Sequence, residues 1–225
     1  MQNDCKSCVF NTRATSMLSD ISFEQLSENH LELRFTKGDT IIKQGMFSTN
    51  VVFLRRGLAK IHLSGPYREQ IVRLVKAPTY LGLPTTFGDK INQYSVTAVT
   101  DTEVCYIDIH VFQTILNENR EFSNDILIEL SKNELESFRR CANRTQKQIR
   151  GNMADALLEF SESIFQSESF TLPISQSELA NLVDTSRESV SRVLTEFDKD
   201  GLIKIKGKQI VILNKKSLNL ISQNG

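Results

Sequence analysis

The sequence predicts an α+β chain: an N-terminal antiparallel β-roll of jelly-roll type, then a long helix, then a winged helix-turn-helix. Three observations carry this. Short strand-like segments punctuated by turn residues fill the region up to about residue 112. A heptad-spaced seam follows, and the last third holds two capped helices before a hairpin. The expected boundaries are 1–120, 121–150 and 151–225.

With 225 residues and 40% apolar content, each part can bury its own core. Lysine plus arginine equal aspartate plus glutamate at 27 each, so overall charge points to no partner. The longest apolar runs, such as "NVVFL", are strand-sized, and no charged-then-apolar leader opens the chain. A cytoplasmic protein with reduced cysteines, not associated with a membrane, is expected.

The chain opens with "CKSC" and a short helix over "SFEQLSENHLEL", which Ser22 would cap with Gln25 at the capping-box position. Strands are then expected in "DTIIKQG", "NVVFLRRG", "LAKIHLSG", "QIVRLVKAP", "YSVTAVT" and "EVCYIDIH", each rich in β-branched or aromatic residues. From Phe112 the period becomes helical. Ile128, Ser131, Leu135, Phe138, Ala142, Thr145 and Ile149 alternate steps of three and four between strongly polar flanks. A seam this narrow suits contact between two identical subunits, with Ile128, Leu135, Phe138, Ala142 and Ile149 at its centre; packing onto the chain's own barrel is the alternative. Cys141, beside the seam, reads as a small buried residue.

Beyond Arg150, Ser175 and Glu178 form a capping box, Asp184 tolerates a left-handed turn, and "LIKIKGKQIVIL" folds back at Gly207. Between the turn and the hairpin lies "TSRESVSRVLTEF". At about 100° per residue, Arg187, Glu188, Ser191 and Arg192 share one face, while Val190, Val193, Leu194 and Phe197 share the other. Arginine can donate a bidentate pair to guanine, glutamate can accept from cytosine, and serine adapts to either. A solvated helix face with Glu188 paired to Arg192 would use the same residues. Their place between a capped helix and a basic hairpin favours base reading.

These segments resemble the Crp/Fnr transcription regulators. The span "ISQSELANLVDTSRESVSRVLTEFDKDGLIKIKGKQIVIL" is similar to the family's DNA-binding module, and "FTKGDTIIKQGMFSTNVVFLRRGLAKIHL" to its effector roll. The resemblance implies a non-enzymatic bacterial homodimer that binds inverted-repeat promoter DNA and works with RNA polymerase. It implies base reading by Arg187, Glu188, Ser191 and Arg192, and phosphate contacts from Ser175, Gln176, Ser186, Ser189, Lys206 and Lys208. A small-molecule-binding regulatory module acting through protein contacts is the rival reading.

Where cyclic-nucleotide-binding members carry a ribose-binding glutamate and a phosphate-binding arginine, this chain has Leu83 and Tyr94, followed by Ser95. An entering phosphodiester then lacks its cation, so cyclic AMP is not the expected effector; Arg73 or Arg68 would be the substitute cation. In the Fnr branch the roll cysteine corresponding to Cys105 helps bind an iron–sulfur cluster. The resemblance therefore nominates Cys5, Cys8 and Cys105 as metal ligands, although the branch's further N-terminal cysteine is missing. His30, His62 and His110 read as surface or satisfied strand histidines.

Overall fold

The computed structural model describes residues 18–225. Two compact units form: one holds the described residues through Tyr67 together with Val72–Leu135, and the other holds Arg68–Ile71 and Glu136–Gly225.

The first unit opens with α1 (Asp20–Glu28), capped by Ser19, whose side chain accepts from the Ser22 amide. The expected cap at Ser22 is therefore three residues late, and the helix also ends earlier than expected. Asn29 terminates it, and "HLELRF" becomes strand β1 (His30–Phe35) on the edge of a sheet. Strands β2 (Thr40–Ile42), β3 (Asn50–Arg56), β4 (Leu58–Ser64), β5 (Glu69–Lys76), β6 (Thr79–Leu81), β7 (Ser95–Ala98) and β8 (Thr102–Asp108) complete the roll. They make two four-stranded sheets, ordered β1-β8-β3-β6 and β2-β7-β4-β5. β1 and β6 were not anticipated.

The unbroken apolar run of β3 follows from burial on both faces. Val52 and Leu54 join Ile61, Val96 and Val104 in one core cluster, while Val51 and Phe53 join α1, α3 (Ile109–Glu118) and α4 (Arg120–Gln146) in another. In that second cluster Phe53, Tyr80, Phe112 and Phe122 run ring to ring at 4.9, 5.6 and 5.5 Å between centroids. Full burial of a ring such as Phe112 contributes about 1.5–3 kcal/mol. Gly57 turns β3 into β4 at φ +97°, where a Cβ would meet the Asp101 carbonyl oxygen at 2.6 Å. The short helix α2 (Leu83–Phe87) lies between β6 and β7.

Helix α4 stops at Gln146, and Ile149 begins α5 (Ile149–Glu159), so the heptad expected to run through Ile149 belongs to two helices. The remaining seam positions are on α4. Leu135 and Phe138 are 67% and 63% exposed in the single chain, and Cys141 beside them is exposed too.

In the second unit α5 runs into a π-helical turn, Phe160–Phe165, and then β9 (Ser169–Thr171). Helices α6 (Gln176–Val183) and α7 (Arg187–Lys199) follow, then the hairpin β10 (Ile203–Lys206) and β11 (Gln209–Ile212), and finally α8 (Lys215–Asn224). β11 is the central strand, with β10 on one side and β9 on the other. No helix among the described residues is long and apolar enough to cross a membrane.

Candidate nucleic-acid interface

Helix α6 begins as its sequence dictates. The Ser175 side chain accepts from the Glu178 amide at 3.2 Å, and Glu178 Oε2 accepts from the Ser175 amide at 2.9 Å. Asp184 then adopts φ 58°, ψ 53°, the left-handed conformation foreseen for the turn. Ser186 caps α7, its hydroxyl accepting from the Ser189 amide at 3.2 Å. Ser175, Ser186 and Ser189 are thus occupied in building the two helix starts, whatever else they touch.

Helix α7 is strongly two-sided. Val190 and Phe197 are fully buried and Val193 and Leu194 nearly so, against α5, α6 and β10. Arg187, Glu188, Ser191 and Arg192 are all exposed on the other side. With Gln176, Thr195, Glu196 and Lys199 they line one open groove. The sequence-predicted base readers are therefore brought together on one surface. Glu188 has its carboxyl held below the ordinary carboxylate range by its own backbone amide, the Ser186 hydroxyl and the charge of Arg187. It stays an anion and an acceptor.

Arg192 lies 3.9 Å through Nε from Glu196 Oε1, one turn on. Glu196 is also held from α5 by Arg150, at 2.7 Å. Neither Glu196 nor Arg150 was singled out in the sequence. Glu196 could have been, from its i,i+4 spacing to Arg192; Arg150 is placed only by the tertiary fold. At the hairpin tip Lys206 and Lys208 are exposed on either side of Gly207, whose φ of +63° makes the tight turn.

The effector-pocket candidates sit in the first unit. Leu83 is buried at the first position of α2. The Tyr94 hydroxyl accepts from the Gly82 amide at 3.2 Å, and burial raises its pKa above the ordinary tyrosine value. Arg73 donates to Asn133 Oδ1 of α4 at 2.6 Å, and the Ser95 hydroxyl accepts from the Gln44 amide at 3.0 Å. Leu83, Tyr94, Arg73 and Ser95 are thus each engaged within the first unit.

Of the nominated metal ligands, Cys5 and Cys8 lie outside the described residues. Cys105 is buried in the roll's helix-covered core. Beside it are His30 and Glu32, which the sequence reading had placed in a helix; on β1 they share a face with each other. His62 donates to or accepts from Thr97 at 2.8 Å, and the His110 amide donates to Asp108, the cap of α3, at 2.8 Å.

Comparison with known proteins agrees with both halves. A family model described as cyclic nucleotide-binding domain matches residues 32–119, and one described as Crp-like helix-turn-helix domain matches residues 152–221. The chain is 27% identical over 185 residues to the transcriptional activator protein FnrA of Stutzerimonas stutzeri, covering 79% of this chain and 75% of that protein. It is 23% identical over 189 residues to a CRP-like cAMP-activated global transcriptional regulator of Mycobacterium tuberculosis, covering 82% and 84%. The solved structure of FixK2 from Bradyrhizobium japonicum shares the fold at a TM-score of 0.78 and 17% identity, over 85% of this chain and 96% of that one. A nucleotide-binding-type roll joined to a Crp-like helix-turn-helix, with homologues along most of its length, places this chain in the Crp/Fnr family of transcription regulators.

Proposed function

We propose that the protein is a homodimeric regulator in which α7 enters the major groove of an inverted-repeat promoter site. The observation that carries this is the division of α7: a fully buried apolar face opposite an exposed set of Arg187, Glu188, Ser191 and Arg192. Arg187 and Arg192 donate to guanine edges, Glu188 accepts from cytosine, and Ser191 adjusts between them. Lys206 and Lys208 meet phosphates from the wing, while Gln176 and the capping serines approach the backbone at the start of α6. RNA polymerase is the protein partner, and the cytoplasm the place of action.

Dimerisation is supported by the exposed α4 seam of Ile128, Leu135, Phe138 and Ala142. Large apolar side chains at heptad spacing on a polar helix are covered most simply by the same helix of a second copy.

The effector is not cyclic AMP. The Mycobacterium tuberculosis relative is named as cAMP-activated, but here Leu83 and Tyr94 stand where the ribose and phosphate would need a carboxylate and a cation, and Arg73 is engaged with Asn133. Calorimetry with cyclic AMP is expected to give no heat of binding; micromolar affinity would overturn this part.

Selection from random duplexes followed by hydroxyl-radical footprinting tests the whole reading. The expected result is a twofold-symmetric footprint with half-sites centred about 34 Å apart, one helical turn. Enrichment of no sequence, or an asymmetric footprint, would overturn it and leave a regulatory module acting through protein contacts.

A further inference from the structure

His30, Glu32 and Cys105 bring three different metal-ligating groups together on the helix-covered face of the first sheet. Their donor atoms all lie within 4.8 Å of one another. The sheet register makes this happen: Glu32 is directly opposite Cys105, and His30 stands two residues before Glu32 on the same side of β1. The His30 side chain is only 2% exposed.

The histidine is also oriented for a ligand. Its Nδ1 lies 3.0 Å from the Leu26 carbonyl oxygen, an atom that can only accept, so the ring proton is on Nδ1. Nε2 faces Glu32 Oε1 at 3.6 Å. A backbone carbonyl fixing the tautomer in this way is the usual outer partner of a metal-bound imidazole. With bonds of about 2.0–2.3 Å, neighbouring ligands of a tetrahedral zinc site stand roughly 3.3–3.8 Å apart. The His30–Glu32 spacing is already in that range, and Cys105 needs to close by about 1.5 Å at most.

We propose that His30, Glu32 and Cys105 form a binding site for a single thiophilic, four-coordinate divalent ion of the zinc class, with water as the fourth ligand. A thiolate and a carboxylate together balance the two charges of such an ion, and a neutral imidazole completes the set. Binding displaces the Cys105 thiol proton to solvent, with no change in oxidation state. Arg55 is the fourth member of the group. It is buried at the β3 irregularity, ion-paired with Glu32, and 3.9 Å through Nη1 from Cys105 Sγ. A guanidinium there lowers the cost of the thiolate and remains on the Glu32 carboxylate as an outer partner once the ion is bound. The loaded group then carries one net positive charge. The Glu32 side chain, 34% exposed, gives water access to that charge and a route for the ion.

The proposal is independent of the DNA reading. Full-length protein, reduced and freed of metal by chelation, is titrated with Co(II) and then Zn(II). The expected result is one equivalent of Co(II) giving the visible bands of a tetrahedral site and a sulfur-to-cobalt charge-transfer band, both bleached by Zn(II), with apparent affinity rising about tenfold per pH unit while one proton is displaced. His30→Gln, Glu32→Gln and Cys105→Ser should each weaken binding at least tenfold, whereas Cys141→Ser and the Cys5→Ser/Cys8→Ser double variant should leave the spectrum intact. Circular dichroism melts establish which variants are folded; if Cys105→Ser is not, the other two carry the test. Binding that survives His30→Gln but is lost with Cys5 and Cys8, absence of stoichiometric binding, or acid-labile sulfide matching iron in anaerobically purified protein would overturn it.

Discussion

Arg150 donates from Nη1 to Glu196 Oε2 at 2.7 Å, so the first turn of α5 grips the far part of α7. Its other nitrogen donates to Asp200 Oδ2 at 3.1 Å, and the guanidinium lies 5.1 Å from the centre of the Phe197 ring. Glu196 is also the acid that reaches Arg192, at the longer distance of 3.9 Å. Two arginines therefore share one carboxylate, and Arg150 has the better geometry.

Removing Arg150 should hand Glu196 to Arg192. Arg150→Ala is expected to reduce specific DNA affinity about threefold to tenfold, of the order of the coupling between neighbouring charges, and Glu196→Gln in the same chain should restore it. Stability should change by less than about 1 kcal/mol, because the pair is some 40% exposed. Fluorescence anisotropy on the four proteins of this cycle checks the outcome; loss without rescue would mean that Arg150 itself touches phosphate.

Arg192→Ala is expected to cost about 1–3 kcal/mol on the selected site and to relax preference at one base pair per half-site. Competition among single-base variants of the site measures this. An equal loss on every sequence would assign Arg192 to the backbone instead.

Replacing Lys206 and Lys208 with alanine should weaken all duplexes alike and flatten the slope of log affinity against log salt by roughly two units. The slopes of wild type and double variant, taken from titrations between low and moderate salt, decide it.

Ser175 offers a separation of folding from binding. Ser175→Ala should lower stability by about 1 kcal/mol through loss of the cap. Ser175→Asp keeps an acceptor for the Glu178 amide but sets a carboxylate against Glu178 Oε2, which now accepts from the Ser175 hydroxyl at 2.9 Å, so it should recover only part of the lost stability while the added negative charge reduces affinity for DNA. Thermal melts and anisotropy on both variants would show the split.

Leu135→Glu with Phe138→Glu should yield monomers at micromolar concentration by sedimentation equilibrium. Each carboxylate would face its twin across a seam that is otherwise apolar at these positions.

Most of this architecture was legible because its signals are local. The Ser175–Glu178 box, the turn at Asp184, the two-sided α7 and the Gly207 hairpin depend on residues within a few positions of one another, and the structure has each where expected. The errors came where neighbours in space decide. "HLEL" reads as the end of a helix until β8 offers it a hydrogen-bonding partner, and only then do His30 and Glu32 face the same way. The seam was followed into Ile149 because spacing alone does not register the break after Gln146. Arg150 gave no local sign, since its partners come from a helix distant in sequence.

The third strand of the small sheet changes what the wing costs to use. β9 pairs with β11 right up to Thr171 opposite Gln209, and the Leu172 amide donates to the Lys208 carbonyl at 2.9 Å. The backbone carrying the tip lysine is therefore already fixed before any ligand arrives. A free hairpin would surrender about 1–2 kcal/mol of backbone freedom for each residue immobilised on contact, and this one has surrendered it during folding. Its encounter with a polyanion should be close to rigid docking, with the measured salt response reporting charge alone.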